Sequence, residues 1–418
     1  MLTNEMYITV VGTLGLGSAR QKNVPELVTI ANGGDPSGIA ALADALGTDY
    51  DDFYEKFQRE RERAVKTTEY CRRNGIGILT LSDRDYPARL RDIKDPPAVL
   101  YYLGKKPAVD DRFPIAFVGS RLCSEKYARL AYKLGRRFGA AGAAVISGMA
   151  IGIDGMAQRG AVDAHGYTIA VLGTGVDVVY PESNRGLYNA IVKSGTVLSE
   201  APPGSQALKI SFPLRNRIIS GLSRAVVVVQ ANSGSGSLIT ADCAVKQGRI
   251  AMTIAANSEE SDCDGNQQLI DEGVIPVFSP EDIIGLVSGK DEELGRKLFV
   301  SFPFKDAETP FGLAVCSDGA GDDVRFEDEP PKRDDDEHET EKDKKRRKQA
   351  SDIGYEAKDL TALSPEEKQV WLAAELPATA DEIAYASGIP VEKVLTAVTM
   401  LEISGYIEAL PGGKFVRA

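Results

Sequence analysis

A chain of 418 residues with 43% hydrophobic content is long enough for two or three domains, each with its own core. No run approaches the roughly twenty apolar residues that a membrane-spanning helix needs. The formal net charge of -12 excludes a globally basic nucleic-acid binder, but not a local basic groove, because the local field governs docking.

Residues 1–5 lack a basic segment leading into an apolar one, so no signal peptide is expected. Five cysteines, Cys71, Cys123, Cys243, Cys263 and Cys316, are scattered without metal-ligand spacing. An odd, dispersed set reads as reduced thiols in a cytoplasm. With only His165 and His338 present, a histidine triad or a zinc site is not expected.

Residues 1–75 read as a helical domain. Val11-Gly12-Thr13-Leu14-Gly15-Leu16-Gly17 is a glycine hairpin between helical segments. It is either an ordinary turn or a helix–hairpin–helix whose amides can meet a phosphate backbone. Residues 51–73 form a charged amphipathic helix. Residues 76–112 read as a strand, Ile76-Gly77-Ile78-Leu79-Thr80-Leu81, followed by a proline-punctuated extended connector.

From 113 to 289 short apolar runs alternate with helical segments. Ile115-Ala116-Phe117-Val118, a helix beginning near Ser124 and ending at Gly139 or Gly142, and Ala144-Val145-Ile146-Ser147 make a βαβ unit. Further strands are expected at 168–172, 196–199, 225–229, 250–254 and 274–277. The valine run 226–229 has the apolar character of a central parallel strand buried on both faces. The fold class is therefore α/β, a doubly wound parallel sheet.

Residues 290–360 are a charged linker, expected to be disordered because 317–351 hold almost no apolar side chains. Residues 361–418 read as a winged helix: three helices and a β-hairpin broken at Pro411-Gly412-Gly413. Its four cations, Lys368, Lys393, Lys414 and Arg417, face eight anions, so a protein contact is expected before duplex binding.

One constellation gathers at the carboxyl edge of the expected sheet, where ligands of such sheets bind. Gly119, Ser120 and Arg121 follow the first strand, and Gly148 and Gly152 the second. Lys209, Phe212, Arg215, Asn216 and Arg217 precede the valine strand, and Ser235, Gly236 and Ser237 follow it. Cations and bare amides suit phosphates, and Phe212 offers a face on which a base can stack. Arg215 is expected to face the ligand, with Arg217 holding the loop. No carboxylate pair, activated nucleophile or metal cluster is visible, so a binding protein without a cofactor is expected rather than an enzyme.

These motifs resemble the DNA-processing protein A family, DprA/Smf. The resemblance rests on Gly119-Ser120-Arg121, on Ser147-Gly148-Met149-Ala150-Ile151-Gly152-Ile153-Asp154, and on Val171-Leu172-Gly173-Thr174-Gly175 with Tyr180-Pro181. It rests also on the segments 212–223 and 235–241. It implies an extended Rossmann-like domain that binds single-stranded DNA, protects incoming strands in natural transformation and loads the RecA recombinase. It further implies a homodimer made through that domain. The family's DNA-contacting arginine corresponds to Arg121, and its lysine and stacking phenylalanine are similar to Lys209 and Phe212. Departures are Gln158 in place of histidine, Gln230 in place of glutamate, and no Pro-Gly after Ile254. The alternative is a Rossmann hydrolase of the nucleotide phosphoribohydrolase type, against which Gln230 stands where an acid is needed.

Overall fold

A computed structural model describes residues 3–15, 23–255 and 261–288, and, towards the carboxyl end, 364–374, 378–387, 389, 391–403, 407–410 and 414–417. The expected linker at 290–360, the tip of the glycine hairpin beyond Gly15, the segment after Ala255 and the turn at 411–413 lie outside the described residues.

Four helices open the chain: α1 (Asn4–Leu14), α2 (Val24–Ile30), α3 (Pro36–Leu46) and α4 (Tyr50–Asn74). Asp49 caps α4 by accepting the Asp51 and Asp52 amides at 3.0 and 3.2 Å. Gly75, at φ 67°, ends it in the left-handed conformation that glycine adopts freely. Phe53, Phe57, Ala64 and Cys71 form its buried stripe at helical spacing.

Next come β1 (Gly77–Thr80), α5 (Ala88–Arg91) and β2 (Val99–Gly104). Then β3 (Pro114–Val118), α6 (Glu125–Ala140), β4 (Ala144–Ser147), α7 (Ile153–Asp163) and β5 (Tyr167–Leu172) follow in alternation. The pattern continues through α8 (Arg185–Ser194), β6 (Thr196–Ser199), α9 (Ser211–Leu222), β7 (Ala225–Val228) and α10 (Gly236–Lys246). It ends with β8 (Ile250–Ile254), α11 (Asp264–Asp271), β9 (Ile275–Val277) and α12 (Pro280–Ser288).

All nine strands join one sheet in the order β1-β2-β6-β5-β4-β3-β7-β8-β9. From β6 to β9 every pairing is parallel, whereas β1, β2 and β6 pair antiparallel. The stretch expected as an extended connector thus supplies β2, because Tyr101 finds Ser199 and Leu103 finds Val197. Alternation along the strands sends Ala116, Val118, Ile146, Val226 and Val228 into one core and Ile115, Phe117, Val145, Val227 and Val229 into the other. The first core extends without a break to Met6, Tyr7 and Phe57 of the opening helices. Tyr70 of α4 also donates to Asp177 Oδ2 at 2.9 Å, reaching the loop after β5.

The carboxyl-terminal unit has α13 (Pro365–Ala373), β10 (Ala378–Thr379), α14 (Ala380–Ser387), α15 (Val391–Ile403), β11 (Ile407–Leu410) and β12 (Lys414–Arg417). Ser364 and Glu367 close a capping box at the start of α13. β10, β12 and β11 form a three-stranded sheet over a core that includes Val370, Ile383, Val394 and Leu401. This is the expected winged helix.

Candidate nucleic-acid interface

The connections run outward from β3 to β6 on one side and from β7 to β9 on the other, so the topology reverses between β3 and β7. Ligands of doubly wound sheets bind at such a switch point. Here the crevice is closed by backbone: the Ser120 amide donates to the Gln230 carbonyl at 2.7 Å. Gln230 Oε1 also accepts the Ser124 amide at 2.9 Å at the head of α6. The open concavity therefore lies beside the switch point. It holds about 50 Å³ and is lined by Arg121, Gly148, Ala150, Ile151, Tyr180, Pro181, Phe212 and Arg215. That volume is of the order of one or two waters, so a nucleobase would lie across this place rather than inside it.

Arg121 and Phe212 meet there. The exposed Arg121 guanidinium carbon stands 5.4 Å from the centroid of the half-buried Phe212 ring. Tyr180 packs its ring 5.4 Å away on the same phenylalanine, tilted by 38°. Tyr180 was not among the residues expected from sequence. Its motif was visible, but its pairing with α9 spans separate parts of the chain. Lys209 is exposed just before α9.

The floor is built from buried charge. Arg215 is 7% exposed and donates to the Gly148 carbonyl at 2.9 Å and to the Val171 carbonyl. It lines the pocket, where the sequence places it, and its guanidinium also supports the turn after β4 from below. Asp154, 6% exposed, accepts the Gly148 amide at 3.0 Å. Burial raises the Asp154 carboxyl above its ordinary range, against the opposing pull of Arg215. Burial likewise lowers the Arg215 guanidinium to about 10; Asp154 opposes that shift and Arg121 adds to it. The two opposite charges favour each other electrostatically, at a desolvation cost to both.

Arg217 is not among the pocket-lining residues. On helix α9 it lies about 200° around the axis from Arg215. Its Nη2 donates to both Glu200 oxygens at 2.8 Å, and its Nε lies 3.0 Å from Asp95. Glu200 and Asp95 keep it protonated despite burial. Asn216 is buried and donates to the Gly236 carbonyl at 3.0 Å, tying α9 to the head of α10. Ser235 caps α10, its Oγ 2.8 Å from Ser237 Oγ. Ser235, Gly236 and Ser237 thus share the sheet edge but stand apart from the pocket lining.

Two glycines make the arrangement possible. A Cβ on Gly148 would stand 2.1 Å from Arg215 Nη1. Gly152, at φ 83°, brings the turn after β4 against the Ser120 carbonyl, which a Cβ would meet at 2.4 Å. Gly119 lies beneath, with the Gln230 carbonyl 2.6 Å from where its Cβ would be. Gln158 of α7 is buried against β5, donating to Thr168 and to the Ile169 carbonyl at 3.2 and 3.0 Å.

Residues 77–288 match the family model of DNA recombination-mediator protein A, and residues 356–413 match that of the DprA winged helix domain. The DNA processing protein DprA of Streptococcus pneumoniae is 41% identical over 207 residues, 49% of this chain and 72% of that protein. Protein Smf of Synechocystis is 30% identical over 346 residues, 81% of this chain and 80% of that one. The X-ray structure of DNA processing protein A from Streptococcus pneumoniae matches with a TM-score of 0.58 at 32% identity, over 68% of this chain and 98% of that one. With its sheet, its winged helix and these relatives in agreement, the chain belongs to the DNA recombination-mediator protein A family, DprA/Smf.

Proposed function

We propose that the chain binds single-stranded DNA across the carboxyl edge of its parallel strands and loads a RecA-type recombinase on it during natural transformation. The observation that carries this reading is the exposed Arg121 guanidinium 5.4 Å from the Phe212 ring. A cation for phosphate and an aromatic face for an unpaired base stand within one nucleotide of each other. Lys209 extends the basic track, and the head of α10 at Ser235, Gly236 and Ser237 offers amides further along the same edge. The test is a fluorescence titration of labelled oligothymidine against its duplex. Preference for the single strand is expected; equal binding of both would defeat the reading. Loading is tested separately, by whether the protein speeds RecA filament growth on a strand coated with single-strand-binding protein.

The same proposal includes a homodimer through the Rossmann-like domain, and supports it with the free edge of the sheet. Among the described residues β9 pairs only with β8; Ile275 within it is 40% exposed and Phe278 just after it 60%. An apolar, unpaired edge is a pairing surface unless covered. Sedimentation of a Phe278→Glu, Ile275→Asp variant is expected to give a monomer where the wild type gives a dimer. A variant that stays dimeric removes this edge from the interface.

A further inference from the structure

Among the described residues ten large hydrophobic side chains are exposed; two of them, Ile151 and Tyr180, line the pocket of Arg121 and Phe212, while Leu122 directly follows Arg121 and Leu214 lies between Phe212 and Arg215 in the chain. Leu122 is 88% exposed, Ile151 52%, Tyr180 41% and Leu214 40%. Single exposed apolar residues are ordinary, but apolar residues gathered at one place mark an interaction site.

Leu122 and Ile151 stand on loops that are held in place. Ser120 Oγ accepts the Leu122 amide at 3.1 Å and lies 3.0 Å from the Leu122 carbonyl, to which it donates. The other loop turns through Met149 at φ 57° and Gly152 at φ 83°, and Asn184 donates to the Met149 carbonyl at 2.9 Å. The Ile153 amide reaches the Ser120 carbonyl at 3.3 Å, so the two loop backbones lie against each other. An apolar tip on a free loop could fold back onto the surface. These tips are fixed in water by their own backbones, which suits a surface waiting for a partner.

The neighbouring charge narrows the choice of partner. Arg121 directly precedes Leu122 and lines the pocket with Ile151. An apolar protein surface laid here would strip water from Arg121 and give it no counter-charge, a costly burial. A nucleotide brings an anion and an apolar face together at the same spacing.

We propose that Leu122 and Ile151 form an apolar lip that takes bases of the strand whose phosphates Arg121 holds. The lip, with Phe212 and Tyr180 lining the same pocket as Ile151, makes the site respond to unpaired bases and not to backbone charge alone. This inference rests on the single-strand reading above.

The test compares labelled oligothymidine with an abasic oligomer of equal length at one salt concentration, using the full chain. A Leu122→Ser, Ile151→Ser variant is expected to bind oligothymidine about tenfold more weakly or worse, the scale of one lost base contact. Its binding to the abasic oligomer and its melting temperature should not change. Equal losses on both oligomers, or no loss on either, overturn the lip. A Leu122→Met, Ile151→Leu variant keeps the apolar area and should bind as wild type; weakened oligothymidine binding there also overturns it. Arg121→Ala, run in parallel, separates the two failures. It should weaken both oligomers even if the lip is wrong, and if it weakens neither, the single-strand reading itself has failed.

Discussion

Arg215 Nη1 donates to the Gly148 carbonyl across 2.9 Å, joining the middle of α9 to the turn after β4. Because Asp154 is the buried counter-charge to this guanidinium, the contact is a structural tie beneath the site. Arg215→Ala removes a buried donor from the Gly148 and Val171 carbonyls and should destabilise the fold by about 1.5–3 kcal/mol. Gly148→Ala should act in the same direction by displacing the guanidinium. Urea unfolding measures both. An Arg215→Ala protein that unfolds like wild type yet no longer binds DNA would make Arg215 a DNA contact and not a structural tie.

Arg121 and Lys209 are exposed, so their loss should change binding and leave unfolding alone. Each phosphate contact removed from a single strand should flatten the salt dependence of log K by about 0.7 in slope. Titrations of Arg121→Ala, Lys209→Ala and the double variant at several salt concentrations give the slopes. A slope equal to wild type in the double variant takes both residues out of the interface.

Phe212 is half-buried, with Tyr180, Arg121 and Arg215 around its ring. Phe212→Leu keeps much of the apolar volume and removes the aromatic face. Stacking contributes on the order of 1–3 kcal/mol per base, so single-strand affinity should fall about tenfold or more while the melting temperature holds. Early melting with unchanged selectivity would assign the ring to packing.

Arg217 offers a control. Its bonds to Glu200 and its approach to Asp95 lie away from the pocket. Arg217→Ala removes the bonds of a buried guanidinium to Glu200 and should destabilise by about 1.5–3 kcal/mol, the scale of a hydrogen bond to a charged group. The salt slope of the surviving folded protein should match wild type, and a flattened slope would bring Arg217 back to the DNA.

Asp35 sets a pH dependence in the opening helices. Its carboxylate accepts the Gly38 amide at 2.7 Å and the Ser37 hydroxyl at 2.8 Å, and these bonds, the amide first, hold its pKa below the ordinary 3.8. A depressed folded value means that the contribution is complete above the unfolded pKa and lost as pH falls through the folded one. Asn caps a helix about as well as Asp without titrating. Asp35→Asn should therefore lose less melting temperature than wild type between pH 5 and pH 2.5, taken as roughly the window of a carboxylate. Identical pH profiles would show that the cap does not report on folding.

Much of this architecture is written locally. Strands such as Ala225–Val228 are legible because a central parallel strand must be apolar on both faces. The winged helix is legible because three amphipathic helices and a hairpin follow in close succession. The gathering of Arg121, Gly148 and Phe212 at one edge also followed from chain order, since parallel strands bring their carboxyl ends together. The tertiary structure decided matters that depend on distant partners. The antiparallel pairing of Val99–Gly104 with Thr196–Ser199 was invisible because neither run names its neighbour. The helical state of Ser211–Leu222 turned Arg215 inward and Arg217 away, where an extended segment would have put both on one face. The closeness of Ser120 to Gln230 shut the switch point and moved the open pocket towards Tyr180. Whether an arginine binds a ligand or props up a turn depends on the carboxylates and carbonyls the fold sets around it, and those come from residues far along the chain.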